Sequence, residues 1–430
     1  MSIVAAHYAV PDENLIPLSD YPARRQEIPP SRMFIIKKAL KVYKDKHGAN
    51  AETYDASQGD GGASLPGVPA EILRQATELH IKHGTGYDQP YGYDGFREAV
   101  ANAYWQLDSK LGWGVANVVA GIGGRDILMK AFDAMIHLGT GRVGDALITT
   151  AVPWISYNWG PYAAGLNVLH APGDEKAAWV YTEEGLAEAV NFAQSSGRQI
   201  AGMLITSPDN PTGRTLSLHE QIRLAQKALD LGVKYVLFDW IYHWVTEGEP
   251  HSINDVLKAF SPEERSRLMF LDGLTKSMGA SNVRSAHLMA SKEVCDFITS
   301  RASHAVFPNF YSQAVAVVAY QMGFGKASSS IIQTTNASRI ALRRLLQKHD
   351  YNHILGDGYY AFIDVTDSCP EGKDSEYIGS RLAEDFGVAV VPGVYFSDAG
   401  RYWVRFSYAT PVDRTEAAFH RMHEGLAALR

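Results

Sequence analysis

The stretch Leu271-Asp272-Gly273-Leu274-Thr275-Lys276-Ser277-Met278-Gly279 decides how the rest of the chain is read. An apolar run reaches a carboxylate, then a glycine, then a lysine inside a short turn, and Arg284 follows. Upstream, Val236-Leu237-Phe238 ends in the same way on Asp239, followed by Trp240-Ile241-Tyr242, and further back stands Asn210-Pro211-Thr212-Gly213. Short apolar runs closed by a charged residue read as buried strands. A carboxylate at such a strand end can face a ligand at the carboxyl edge of an open α/β sheet.

Working outward, the same pattern recurs. Residues 146–149, 167–170, 200–206, 235–239, 269–272 and 286–290 read as strands, and 96–107, 126–138, 182–194 and 217–231 as helices. The last helix has a capping box in Ser217 and Glu220 and a stop at Gly232. Strands alternating with helices predict an α/β domain with a mostly parallel sheet. The tail reads as helices 313–322 and 328–349, strand 360–364, helix 375–386, strands 388–391 and 403–408, and a closing helix. This is a smaller α+β unit. Residues 1–65 are irregular apart from an amphipathic stretch at 32–43 and are too short to fold alone. The expected division is a large domain at 66–315 and a small one built from 1–65 with 316–430.

The 430 residues allow one to three domains. A net charge of -7 gives no basic footprint for nucleic acid. No apolar run approaches membrane-spanning length. Two cysteines, Cys295 and Cys369, suit a reducing compartment, and the first residues lack the pattern of a signal peptide, so a cytoplasmic location is expected. The histidines show no zinc-ligand spacing, and no nucleophile elbow or nucleotide phosphate loop is present. No metal is expected.

An amine, a cation, an amide, a carboxylate and a phenol thus stand in fixed order, the set that holds pyridoxal 5′-phosphate and reacts through it. The pattern resembles the fold-type I pyridoxal phosphate enzymes, and within them the class I/II aminotransferases, over roughly residues 30–428. The resemblance implies a mostly parallel seven-stranded sheet flanked by helices, plus a smaller α+β domain. It implies that Lys276 is the aldimine-forming lysine, that Asp239 pairs with the pyridine nitrogen, and that Tyr242 and Asn210 contact the phenolic oxygen. Arg284 resembles the phosphate-gripping arginine. Gly121-Ile122-Gly123-Gly124-Arg125 resembles the phosphate loop, giving Gly123, Gly124 and Arg125; read as a dinucleotide fingerprint it lacks the third glycine, Asp126 standing there. Thr275 keeps a hydroxyl where the family has a serine.

Trp154 falls where the family stacks an aromatic ring on the cofactor, with Tyr157 as the alternative. Tyr87 fits the tyrosine that reaches the neighbouring subunit's phosphate, which implies a homodimer with shared sites. Arg405 resembles the arginine for the substrate α-carboxylate, and Gly59 a glycine near the substrate. Two departures bear on the pocket: Gly273 replaces a usual serine, and Trp240 is bulkier than usual. For a second substrate carboxylate, Arg301 and Arg401 are conceivable ligands. The reading is an aminotransferase moving an amino group from an α-amino acid to a 2-oxo acid. The alternatives are elimination, decarboxylation or oxidative chemistry on the same scaffold, or a non-catalytic ligand-binding protein.

Overall fold

The computed structural model describes residues 28, 32 and 35–430, the Lys37 side chain excepted. The first residues of the chain, and with them the signal-peptide expectation, lie outside the described residues. Among the described residues there are thirteen strands, numbered in chain order. The large sheet is built from β2 (Val118–Gly121), β3 (Ala146–Thr149), β4 (Asn167–His170), β5 (Ile200–Thr206), β6 (Tyr235–Asp239), β7 (Leu268–Gly273) and β8 (Ala286–Ala290). Their order is β2-β8-β7-β6-β5-β3-β4. Strands β4, β3, β5, β6 and β7 pair in parallel, and β8 runs against both β7 and β2. Helices cover both faces, so the parallel strands are apolar almost throughout rather than alternating. The expected seven-stranded, mostly parallel sheet is present.

After β3 the chain moves outward to β4, crosses back to β5, and continues through β6 and β7. The reversal between β3 and β5 is the topological switch point beside which such sheets bind ligands. Register brings Thr206, Asp239 and Leu271 level with one another at this carboxyl edge.

A second, antiparallel sheet has the order β12-β13-β10-β9, from β9 (His353–Leu355), β10 (Tyr360–Asp364), β12 (Val391–Pro392) and β13 (Trp403–Ser407). Arg405 of β13 lies opposite Phe362 on one side and Val391 on the other. β1 (Tyr54–Asp55) pairs in parallel with β11 (Val388–Ala389), and the helix Ile35–His47 packs on Ser375–Phe386. Tyr54 and Ala56 share one apolar core with Phe406, Tyr408 and Phe419. The irregular N-terminal segment thus contributes a strand and a helix to the packing of the C-terminal one.

Several expectations needed correction. The helix expected at 96–107 is the helix Asp94–Glu98 running into a π turn, Ala99–Tyr104, and the one at 126–138 begins at Gly124 and also ends in a π turn, Met135–Thr140. The stretch 388–391 is two strands in two sheets, broken at Val390, because pairing partners and not local alternation set where a strand ends. The helix at 32–43 is Ile35–His47. Helices Ala70–His83, Ile155–Ala164 and Lys292–Ala302 were not anticipated. The second contains Gly160 and Pro161, residues that argue against a helix locally and are overridden by packing.

Candidate active site

At the carboxyl edge of the large sheet, facing the second sheet, lies a cavity of about 260 Å³. Lys276, Asp239, Tyr242, Asn210, Arg284, Arg405, Gly59, Gly124, Arg125, Trp154, Tyr157 and Thr275 line it. These residues span the chain from 59 to 405, and the fold brings them together.

Lys276 sits on a single helical turn, Leu274–Ser277, directly after β7. Among the described residues its amine has no hydrogen-bond or ion-pair partner; it stands 5.8 Å from the centre of the Tyr242 ring and 5.6 Å from that of Tyr359. Tyr359 donates its hydroxyl to the Lys276 carbonyl, fastening the turn. Among the described residues the Thr275 hydroxyl, buried at the cavity, has no hydrogen-bond partner.

Gly273 has a steric cause. A Cβ there would lie 2.5 Å from the Ser285 carbonyl oxygen and 2.7 Å from the Ala286 Cα, so the β7–β8 approach excludes any side chain. Trp240 is fully buried, donates to the Gln221 side-chain oxygen at 2.8 Å, and packs in the core away from the cavity. The suspicion that it reshapes the pocket is therefore corrected.

Asp239 closes β6. One carboxylate oxygen accepts the Tyr157 hydroxyl at 2.5 Å and the other the Ile241 N–H at 3.2 Å. Burial pushes its pKa up to about 6, against the opposing effect of these two donors. Thr206 donates in turn to the Tyr157 oxygen at 3.0 Å. Burial, and then the charge of Asp239, holds the Tyr157 phenol well above its ordinary range. Trp154 precedes the helix Ile155–Ala164, meets Tyr157 edge-on at 5.3 Å, and carries the Arg125 guanidinium 5.2 Å from its ring centre.

Gly123 stands before the helix Gly124–Ala134 with φ +83°, a conformation that favours glycine. A Cβ there would lie 2.5 Å from the Arg284 Cζ. Gly123 does not itself line the cavity; it makes room for the arginine that does. Arg284 donates to the Ser281 carbonyl at 2.7 Å and the Ile122 carbonyl at 3.2 Å, which aims it across the helix N-terminus. First-turn N–H groups there have no intrahelical acceptors, and the helix dipole adds positive potential.

Arg405 is 1% exposed. It donates to the Asn210 side-chain oxygen at 2.6 Å and the Ser57 carbonyl at 2.5 Å, its Nε has no partner, and among the described residues it forms no ion pair. Burial lowers its pKa. A buried guanidinium held only by neutral acceptors is a ready site for an anion. Tyr242 donates to the Tyr360 oxygen at 3.4 Å, and burial raises its pKa well above the ordinary value.

Three expected residues lie outside the cavity. Tyr87 is 98% exposed and touches Phe307 edge-on. Arg301 pairs with Asp133 at 2.7 Å and Arg401 with Asp398 at 3.5 Å, and neither lines the cavity. Conversely, Tyr360 and Thr206 line it and were not anticipated. Both sit at strand ends. Which face a strand-end residue presents depends on its sheet partners, so only strand placement hinted at them.

The sequence matches the family "Aminotransferase class I and II" over residues 56–421. An aspartate aminotransferase of Geobacillus stearothermophilus is 25% identical over 368 residues, 84% of this chain and 88% of that protein. An aspartate/prephenate aminotransferase of Thermus thermophilus is 26% identical over 358 residues, 82% of this chain and 86% of that protein. Among solved structures, the Thermus thermophilus aspartate aminotransferase with maleate superposes with a TM-score of 0.77 at 24% identity, covering 94% of this chain and 98% of that one. An aminotransferase from Mycobacterium tuberculosis gives 0.79 at 22%, covering 96% and 99%. These last two similarities show a common fold, and the match of sequence over most of the chain goes further: the protein belongs to the class I and II aminotransferases.

Proposed function

We propose that the protein moves the amino group of an acidic α-amino acid, aspartate foremost, to a 2-oxo acid, with pyridoxal 5′-phosphate as cofactor. One observation carries this reading. A single cavity holds an unpaired amine, a buried carboxylate and three guanidinium groups, Arg125, Arg284 and Arg405. The donor set fits the cofactor: Gly123 leaves the room in which Arg284 reaches the cavity, and among the described residues the buried Thr275 hydroxyl and the Lys276 amine are each without a partner until a ligand enters. When bound, pyridoxal phosphate supplies an electron-withdrawing ring that makes the substrate Cα–H acidic.

Lys276 would hold the cofactor through its amine, with Asp239 at the ring nitrogen and Tyr242 and Asn210 at the phenolic oxygen. Arg284, Thr275 and the N–H groups of Gly124 and Arg125 would take the phosphate, and Trp154 would cover the ring. Tyr157 is better suited to orienting Asp239 than to stacking, because its hydroxyl is committed to that carboxylate. Arg405, with Asn210 and Gly59 beside it, draws in the α-carboxylate and fixes the substrate's orientation. Once the incoming substrate amine has taken its place, the freed Lys276 amine would take the proton from Cα.

Arg125 is the remaining cation. Its guanidinium forms no ion pair among the described residues, and burial, with the charge of Arg284, lowers its pKa. A second carboxylate on the substrate would relieve that cost. Relatives named as aspartate and aspartate/prephenate aminotransferases agree with this choice.

The working form we propose is a cytoplasmic homodimer, in which Tyr87, exposed with Ile81 and Val306, reaches the partner's site. The two free cysteines suit that compartment. We also propose the division 66–315 against 1–65 with 316–430, which the β1–β11 pairing supports.

The visible spectrum of the purified protein with pyridoxal phosphate tests the function. Aspartate should remove the cofactor's absorption band and a 2-oxo acid should restore it, while Lys276→Ala should fold but turn nothing over. Normal turnover by Lys276→Ala would sink the assignment.

A further inference from the structure

Tyr360 opens β10, is 2% exposed, and ends in the cavity among three functional groups. The Arg405 guanidinium lies 4.0 Å over its ring centre. Its oxygen accepts the Tyr242 hydroxyl at 3.4 Å, at the long end for such a bond. In that arrangement Tyr242 supplies the proton, so the proton of Tyr360 itself is not spent on Tyr242. No hydrogen bond donated by Tyr360 is found among the described residues. A phenol in a cavity with a free O–H, beside a guanidinium that itself has an unsatisfied Nε, is half of a ligand site.

We infer that Tyr360 is a second ligand for the substrate's α-carboxylate, donating its phenolic proton to the acid group that Arg405 draws in. This rests on the reading of Arg405 proposed above and extends it by one residue. Electrostatics point the same way. Burial alone would raise the Tyr360 pKa, but the positive charges of Arg405 and Lys276 outweigh it and lower the value, which makes the O–H a stronger donor. The energetic logic is that of a site built to hydrogen-bond its substrate: both the buried guanidinium and the phenol gain a partner when a carboxylate enters.

The competing account is that Tyr360 serves only as a flat apolar platform under Arg405. Tyr360→Phe separates the two, because it keeps the ring and its contact with the guanidinium and removes only the hydroxyl. The probe is maleate, an unreactive dicarboxylate, titrated calorimetrically into the full-length protein loaded with pyridoxal phosphate.

Tyr360→Phe should bind maleate about tenfold more weakly than the wild type, the low end for a hydrogen bond to a charged group. In turnover, KM for the amino acid and for the 2-oxo acid should rise together, with kcat changing less. Equal maleate affinity in wild type and Tyr360→Phe, with Arg405→Gln abolishing binding, would overturn the inference and leave the function standing. Equal affinity in wild type, Tyr360→Phe and Arg405→Gln would overturn both.

Discussion

Asp239→Asn should make the cofactor-free protein more stable at neutral pH while disabling the loaded enzyme. Burial lifts this carboxyl from 3.8 to about 6. Because the native-state pKa is the higher one, the folded protein binds more protons than the unfolded chain across that window. Stability therefore falls as pH rises from about 4 to about 6 and is flat above. A shift of roughly two units at about 1.4 kcal/mol each sets the cost of the ionised form at no more than about 3 kcal/mol.

Asparagine carries no charge, and its amide oxygen can still accept the Tyr157 hydroxyl, but its NH2 group then faces the Ile241 N–H and forfeits that bond. The variant should lie slightly below the wild type under about pH 4 and exceed it above about pH 6, by less than about 3 kcal/mol. Asp209, also buried and raised to about 6, titrates in the same window, and because the charge of Asp239 is the smaller of the two effects that raise it, the difference between the two proteins reports Asp239 together with a smaller change at Asp209. The assay is urea unfolding of cofactor-stripped protein followed by tryptophan fluorescence over this pH range. A variant less stable at neutral pH, or a difference independent of pH, would refute the argument. Loaded with cofactor, the same variant should lose at least about a hundredfold in kcat, as expected when a preorganised electrostatic partner is removed.

Restoring the serine more usual in the family, Gly273→Ser, should destabilise by more than about 2 kcal/mol, because the clash is with backbone that cannot step aside; the thermal midpoint checks it. Gly123→Ala places a methyl group against Arg284 at a φ of +83°, so affinity for pyridoxal phosphate should drop with far-UV circular dichroism unchanged. Arg125→Gln should raise KM for aspartate by about a hundredfold, consistent with losing a charged pair, and leave kcat/KM for alanine nearly unaltered.

The sequence by itself determined the architecture and which side-chain types stand ready at the candidate site. Apolar runs ending on Asp239 and just ahead of Lys276 specified parallel strands with functional groups at one edge, because a strand buried on both faces must be apolar throughout and can turn polar only where it emerges. Lys276, Asp239, Arg284 and Arg405 could be singled out as candidates because a cofactor's anion, ring and reactive carbon each demand a particular side chain, and the fold brings all four to one cavity.

What the tertiary structure decided was direction and distance. That Trp240 points into the core, that Tyr157 turns its hydroxyl to Asp239, and that Tyr360 reaches the cavity depend on strand phase and on partners far along the chain. Arg405 meets Asn210 across 195 residues of sequence, and Gly273 has no room for a side chain because β8 pairs close alongside it. A strand fixes which residues share a face, but its neighbours fix which face is inside, and that information is absent from any local stretch.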